Sequence, residues 1–239
     1  MIRDHRPYFV KRAHLRLQQW YTRRFLRPQF AALGEHPSFI KPWHIEIFGS
    51  PIEMGDYATI FAISDAQVRL SVWSAGKGKG RIRIGDYCML CPGVRIGSAA
   101  EVIIEDSCMI ASHAYITDCD WHDVYNRVSI GKSDPIRIEA NVWIGDSAII
   151  CKGVRLGTNS VVGAGAVVVD DVPANTIAAG NPARVVKHLD PQQPITARKQ
   201  WYADPATLFS DIERLDKEML QGNTVRHWLR HLLFPSRGD

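Results

Sequence analysis

An aliphatic residue recurs at every sixth position through much of this 239-residue chain, and this period constrains the fold more than any other feature. The series slips by two residues after Ile96 and is interrupted between Ile116 and Ile138. Its members are Ile84, Leu90, Ile96, Ile104, Ile110, Ile116, Ile138, Ile144, Ile150, Leu156, Val162 and Val168. A helix repeats its apolar face every three to four residues and a lone strand every two, so neither explains the pattern.

Each six-residue unit also has a preferred composition after its aliphatic residue. The next residue is often Gly, Glu or Ala, and the residue four places on is small or β-branched, as at Cys88, Val94 and Ala114. This pattern predicts a solenoid in which each unit is one short strand plus a turn. Three units then close a triangular coil, with the aliphatic side chain inside and the small residue at a tight corner.

Three segments of the repeat region resemble the left-handed β-helix acyltransferases of the hexapeptide-repeat family, especially the sugar O-acetyltransferase branch. They are residues 136–146 (IRIEANVWIGD), 161–167 (VVGAGAV) and 171–186 (DVPANTIAAGNPARVV). The resemblance covers residues 82–186 well, and weaker repeats place the start of the solenoid near Ile45. It implies a mainly β protein, a left-handed parallel β-helix, here with helical extensions at both ends.

The chain is predicted to have three parts. Residues 1–44 form a basic amphipathic helix and a lead-in, residues 45–189 form the β-helix, and residues 190–239 form a helical extension. Apolar residues at helical spacing place the first helix at about 7–26, and the later helices are expected at 206–221 and 224–233. The first helix either caps the open end of the solenoid or lies on an anionic membrane surface.

The interruption of the repeat is predicted to be a loop over residues 117–135 that leaves the coil. In the resembled family a loop at this point carries the catalytic histidine, and His122 is the residue that matches. Acyl transfer from a thioester to an alcohol needs a base, and imidazole can accept the hydroxyl proton and return it to the leaving thiolate. Asp118, Asp120 or Asp123 could orient the His122 ring. Asp120 is assigned, with His122, as a catalytic residue.

Other residues are expected to bind the acceptor and the donor. Those expected to contact the acceptor are His113, Asp118, Trp121 and Arg127. The resemblance implies that coenzyme A lies along the later coils between subunits of a homotrimer. Its pantetheine arm would lie near Trp143, Asp146 and Ala164, and its phosphates near Arg184 and Lys187, since cationic side chains pair well with phosphate oxygens. Some relatives carry a threonine-lysine pair where this chain has Val169-Asp170, which leaves one phosphate contact in question.

These residues together predict an acetyl-CoA-dependent O-acetyltransferase that acts on a hydroxyl of a saccharide or glycoconjugate. Two alternatives remain: transfer to the amine of an amino sugar or nucleotide sugar, and a non-catalytic scaffold. The net charge of +4 is too mild to indicate a nucleic-acid partner, and no metal is expected, because only His113 and His122 lie in the region where a related zinc site would need three histidines. A cytoplasmic protein is predicted, with peripheral contact at the inner face of the membrane as a further expectation.

Overall fold

The computed structural model describes residues 4–75 and 78–234. These residues form two compact units whose boundaries differ from the gap between the two ranges. The larger unit spans residues 21–200. The smaller unit combines residues 4–20 with residues 201–234, so that helices from both ends of the chain belong to one unit.

The larger unit is a coil whose short strands fall in rotation on three parallel sheets. Sheet 1 contains Ala32–Leu33, Ile52–Met54, Ile82–Ile84, Val102–Ile104, Ile136–Ile138 and Arg155–Leu156. Sheet 2 contains Ser38–Ile40, Thr59–Phe61, Met89–Leu90, Met109–Ile110, Trp143–Ile144, Val161–Val162, Thr176–Gly180 and Ala183–His188, the last pair antiparallel. Sheet 3 contains Ile45–Phe48, Val68–Val72, Arg95–Ser98, Tyr115–Thr117, Ile149–Ile150 and Val167–Val168. A small hairpin pairs Ser74–Ala75 with Gly78–Lys79.

The sixfold period places one aliphatic side chain of each strand inside the coil. In sheet 1, for example, Ile84, Ile104 and Ile138 occupy equivalent positions on successive levels, and all three are buried. Because parallel strands are about 4.8 Å apart, each such side chain packs against the ones above and below it. The predicted fold class, a mainly β, left-handed parallel β-helix with helical extensions, is confirmed.

One corner of the coil is a column of residues in left-handed backbone conformation, which asparagine tolerates better than most residues. Asn141, Asn159 and Asn175 stand on successive levels with φ between 56° and 60°. The side-chain amide of Asn141 donates to Asn159 Oδ1, and that of Asn159 donates to Asn175 Oδ1, both at 2.9 Å. Cys88 and Cys108 fill the small-residue positions beside this corner, and burial raises the pKa of the Cys88 thiol well above its usual range. These cysteines are packing residues, as the repeat indicates.

The first coil is covered by the segment that follows the N-terminal helix. Helix α1 (Tyr8–Tyr21) continues into a π-helical turn, Thr22–Leu26, and a 3₁₀ turn, Arg27–Gln29. Leu26 and Phe30 are part of the β-helix core, and the Phe30 ring lies 6.1 Å from the ring of Phe39. Within the larger unit, residues 22–30 therefore cover this end of the coil. A second 3₁₀ turn, Pro42–His44, follows the first sheet 2 strand.

The smaller unit is held together by contacts between the two ends of the chain. Its C-terminal helices are α3 (Pro205–Met219) and α4 (Val225–Leu233), preceded by the short α2 (Arg198–Trp201) at the boundary of the units. From α1, the Tyr8 hydroxyl donates to Glu213 at 2.8 Å and Lys11 pairs with Asp216 at 2.6 Å. Within the described residues, no helix is long and apolar enough to cross a bilayer.

A buried carboxylate explains the two-residue slip in the repeat. The extra residues form a turn at 98–101, and the fully buried Asp118 on the next coil holds it. The Asp118 carboxylate accepts hydrogen bonds from the Ser98 hydroxyl at 2.6 Å, from the Ala99 amide at 2.7 Å and from the Ala100 amide at 3.0 Å. The turn therefore depends on one charged group at the base of the 118–135 loop.

Replacing Asp118 by alanine should destabilise the protein strongly, because three donors would lose their acceptor in the core. Hydrogen bonds to charged groups contribute roughly 1.5–3 kcal/mol each, so we expect a loss of at least about 3 kcal/mol in the free energy of unfolding. Urea denaturation measures it. The matched control is Asp123→Ala, because water can replace that exposed carboxylate. Equal destabilisation by the two variants would contradict the role assigned to Asp118.

Candidate active site

The segment that interrupts the repeat is an ordered excursion from the coil. It lies between Tyr115–Thr117 and Ile136–Ile138, and its two legs pair through an antiparallel bridge between Cys119 and Ser133. The Asp120 amide donates to the Lys132 carbonyl and the Gly131 amide donates to the Asp120 carbonyl, both at 2.8 Å. Further out, the Asp123 amide donates to the Ser129 carbonyl at 3.0 Å. The backbone is thus fixed on both sides of His122.

The imidazole of His122 is exposed, and its Nδ1 lies 2.8 Å from the carbonyl oxygen of Arg127. A carbonyl oxygen can only accept, so Nδ1 must carry the hydrogen of this bond. In the neutral ring, Nε2 then has the lone pair. The loop backbone therefore selects the tautomer that a general base requires.

Asp120 was predicted to orient His122, but its carboxylate points to another partner. It forms an ion pair with Lys152 of the following coil, with Nζ 2.9 Å from Oδ1 and 2.8 Å from Oδ2. This pair ties the first leg of the loop to the β-helix. The carbonyl of Arg127, rather than a carboxylate, makes the orienting contact with His122.

The other two aspartates of the loop also have structural contacts. Asp123 Oδ1 accepts from the Asn126 amide at 2.9 Å and from the Tyr125 amide at 2.8 Å, and these bonds hold the pKa of the Asp123 carboxyl below its usual value. Asp118 was predicted to bind the acceptor. Its carboxylate is buried and holds the turn at 98–101, so it does not face a substrate.

Trp121 lies on the outer surface of sheet 3 and forms one wall of a cleft. Its indole nitrogen donates to the Tyr115 hydroxyl at 3.0 Å. A Cβ on Gly97 would come within 3.1 Å of the indole ring, so glycine at this position makes room for it. The Trp73 ring stands edge-on to Trp121 at 6.0 Å. The cleft has a volume of about 250 Å³ and is lined by Arg69, Ser71, Trp73, Arg95, Ile96, Gly97, Tyr115 and Trp121.

His113 is a corner residue next to this cleft. It has a positive φ of 59° and an exposed side chain, and a Cβ on Gly93 would come within 2.4 Å of its Nδ1. It lines a more open cavity of about 510 Å³, whose wall also includes Arg69 and Arg95. Because the two arginines line both spaces, the structure brings His113 and Trp121 to one stretch of surface. The Arg127 side chain is exposed in the loop.

Three of the residues predicted to bind the donor lie together on the later coils. Trp143 is on sheet 2 with 49% of its surface exposed, and Asp146 and Ala164 are exposed at one corner on successive levels. The Gly165 amide donates to the Asp146 carbonyl at 2.7 Å. A Cβ on Gly145 would come within 2.6 Å of the Ala164 nitrogen, so the backbones approach as closely as glycine allows.

The predicted phosphate partners lie on the antiparallel strand Ala183–His188 at the end of the solenoid. Both Arg184 and Lys187 are exposed, but Arg184 pairs with Asp170 at 3.0 Å. Asp170 belongs to the Val169-Asp170 pair, where the resemblance left one phosphate contact in question. Among the described residues, Lys187 forms no ion pair.

Several residues of this surface were missed by the sequence analysis. Arg69, Arg95 and Tyr115 each precede an inward aliphatic residue on sheet 3, and aligning successive six-residue units would have placed them in one outward column. Away from this surface, Arg198 lies beside sheet 2, where its Nε donates to the Tyr87 carbonyl at 2.7 Å. Across the described ranges, no group of three or more His, Cys, Asp or Glu side chains could hold a metal ion.

The stacked six-residue units define the protein as a hexapeptide-repeat β-helix. The family model described as bacterial transferase hexapeptide (six repeats) matches residues 135–170. This match and the relatives below show that the repeat region is similar to hexapeptide-repeat acetyltransferases.

Two curated relatives and one solved structure illustrate this similarity. A putative acetyltransferase of Schizosaccharomyces pombe is 50% identical over 109 residues, which cover 46% of this chain and 44% of the relative. The galactoside O-acetyltransferase of Escherichia coli is 39% identical over 92 residues, covering 37% and 45%. A hexapeptide-repeat acetyltransferase of Vibrio cholerae, solved in complex with acetyl coenzyme A, is 25% identical, covers 74% of this chain and 85% of that one, and has a TM-score of 0.50. The chain spans about half the length of the curated relatives it matches.

Proposed function

We propose that this protein transfers an acetyl group from acetyl-CoA to a hydroxyl of a saccharide or glycoconjugate. The observation that carries the proposal is the contact between His122 Nδ1 and the Arg127 carbonyl, which leaves Nε2 as a base on an exposed loop. The galactoside O-acetyltransferase among the relatives supports a saccharide acceptor. The acetyl-CoA complex of the Vibrio cholerae protein supports the donor.

In the proposed reaction, His122 Nε2 takes the hydroxyl proton while the acceptor oxygen attacks the thioester carbonyl. The imidazolium formed has an N–H at both positions, and the bond from Nδ1 to the Arg127 carbonyl stabilises it. The C–S bond then breaks, and Nε2 returns the proton to the departing thiolate. A backbone amide on a neighbouring coil would stabilise the intermediate oxyanion.

The donor is proposed to lie along the later coils, in a homotrimer whose sites form between subunits. Trp143 and the backbone near Asp146 and Ala164 would hold the pantetheine arm, and Arg184 and Lys187 would bind the phosphates. The exposure of all five residues and the glycine-dependent corner at Gly145 support this placement. The flat faces of such a solenoid favour association with cyclic symmetry.

We further propose a cytoplasmic protein that binds an anionic membrane surface through α4. This helix exposes Val225, Leu229, Leu232 and Leu233 at helical spacing, with 70% of Leu233 exposed. Its charged residues are all basic, including Arg226 and Arg230. An apolar face bordered by arginine is the pattern of a helix that lies at a lipid interface.

The variant His122→Ala should lose turnover by roughly 10²–10⁴-fold, the usual contribution of a general base. The measurement is release of the coenzyme A thiol in the presence of a panel of saccharide and amino-sugar acceptors. The thermal midpoint should not change, because the side chain is exposed. The matched control is His188→Ala, an exposed histidine at the end of the solenoid. If His122→Ala kept full activity, the assignment of the base would be wrong.

Acetyl-CoA should raise the thermal midpoint, because a ligand that binds only the native state stabilises it by about 2.7 kcal/mol at 100 times its Kd.

Asp170→Asn should tighten the binding of acetyl-CoA a fewfold, because it releases Arg184 from a surface ion pair that contributes about 0–1 kcal/mol. Lys187→Ala should weaken it. If millimolar acetyl-CoA did not raise the thermal midpoint of the wild type, the protein would more plainly be a non-catalytic scaffold than a transferase.

The double variant Leu232→Glu/Leu233→Glu should abolish co-sedimentation with phosphatidylcholine–phosphatidylglycerol vesicles. High salt should weaken wild-type binding, since the arginines contribute electrostatically. Leu215→Glu, an exposed leucine of α3, is the matched control. If the double variant still sedimented with the vesicles, or if it changed only the molecular mass of the protein in solution, α4 would not be a lipid-binding helix.

A further inference from the structure

We infer that the cleft between Trp73 and Trp121 binds a sugar ring that carries a carboxylate, and that Arg95 recognises this group. The inference rests on the proposed function, which it extends by naming the class of acceptor. It makes Arg95 a specificity-determining residue and Trp73 a platform for the ring. Neither residue was among those that the sequence indicated.

The aromatic wall of the cleft suits the C–H face of a sugar. Trp73 is 46% exposed, and its ring packs against the ring of Phe48, with the ring centres 4.6 Å apart. Trp121 is held edge-on to this platform, at an interplanar angle of 68°, by its bond to Tyr115 and by the space that Gly97 leaves. At about 250 Å³ the cleft lies just below the range of sites for drug-sized ligands, which limits it to a single ring.

The charges of the cleft favour an anion. Arg69 and Arg95 stand side by side on adjacent strands of sheet 3. Arg69 already pairs with Glu46 at 2.9 Å, whereas Arg95 forms no ion pair with any described residue. The Arg95 guanidinium lies 4.4 Å from the centre of the Tyr115 ring. This cation–π contact fixes the orientation of its N–H donors. A planar guanidinium binds a carboxylate through two parallel hydrogen bonds, which a neutral hydroxymethyl group cannot form.

The cleft is coupled to the catalytic loop through Trp121. This residue is the neighbour of His122 in the chain, and the same short leg of the loop carries both. A sugar packed against Trp121 would therefore contact the residue next to His122 in the chain. The binding of the ring and the position of the loop are linked by one side chain.

The test uses matched pairs of probes that differ only in a carboxylate. These are 4-nitrophenyl glucuronide against the glucoside, and 4-nitrophenyl galacturonide against the galactoside. Binding is followed by tryptophan fluorescence and acetyl transfer by thiol release. We expect the wild type to bind at least one acidic probe about tenfold more tightly than its neutral partner. Arg95→Gln should remove this preference by raising KM for the acidic probe with little change in kcat.

Arg83→Gln is the matched control, since Arg83 is an exposed arginine on the outer surface of sheet 1. Gly97→Ala should weaken acidic and neutral probes alike, because its methyl group would displace Trp121. Equal binding of acidic and neutral probes by the wild type, or an unchanged preference in Arg95→Gln, would overturn the inference.

The design separates this inference from the proposed function. If His122→Ala abolishes transfer while Arg95→Gln leaves the preference unchanged, the transferase assignment stands and the acidic-acceptor assignment falls. If the acidic probe binds in an Arg95-dependent way but no acetyl group is transferred, the binding site stands and the proposed reaction falls.

Discussion

Packing between successive coils is the interaction on which the rest of this structure depends. Most strands here contain only two or three residues, too few to be stable alone. Each strand is held by backbone hydrogen bonds to the coil above and below, and by an inward aliphatic side chain that packs in a continuous column. An inserted segment can leave this stack only at a corner, because an insertion within a strand would shift its side chains to the opposite face. The turn at 98–101 and the loop at 118–135 both begin at the end of a sheet 3 strand.

The loop with His122 shows how an exposed site is kept in a defined shape by groups that never meet a substrate. Asp118 anchors its base from inside the core, and the ion pair between Asp120 and Lys152 ties its first leg to the next coil. Backbone bonds between the legs fix the position of the ring, and the Arg127 carbonyl fixes its tautomer. The carboxylates of the loop thus support its structure, while a neutral backbone group orients the histidine.

The outer surface of the coil is where the protein departs from a plain repeat. Outward residues are not needed for coil packing, so they are open to other roles, such as the arginines and aromatic rings of the cleft on sheet 3. The pair between Arg184 and Asp170 at the end of the solenoid is another such feature, because it places an acid beside a cation expected to bind phosphate. Both features alter the charge of the outer surface without changing the packing of the coils.

The sequence by itself determined the coil, since a sixfold aliphatic period has few physical solutions, and it located the loop wherever the period failed. It also indicated the helices at both ends from their apolar spacing. The tertiary structure alone decided which groups meet. Whether Asp118 is buried, whether Asp120 faces His122 or Lys152, and whether Trp73 stands beside Trp121 depend on contacts between coils about twenty to fifty residues apart in the chain. The local sequence pattern predicts the face of the coil on which a side chain lies. Its partner depends on which residues of the neighbouring coils stack beside it, and the sixfold period does not specify those residues.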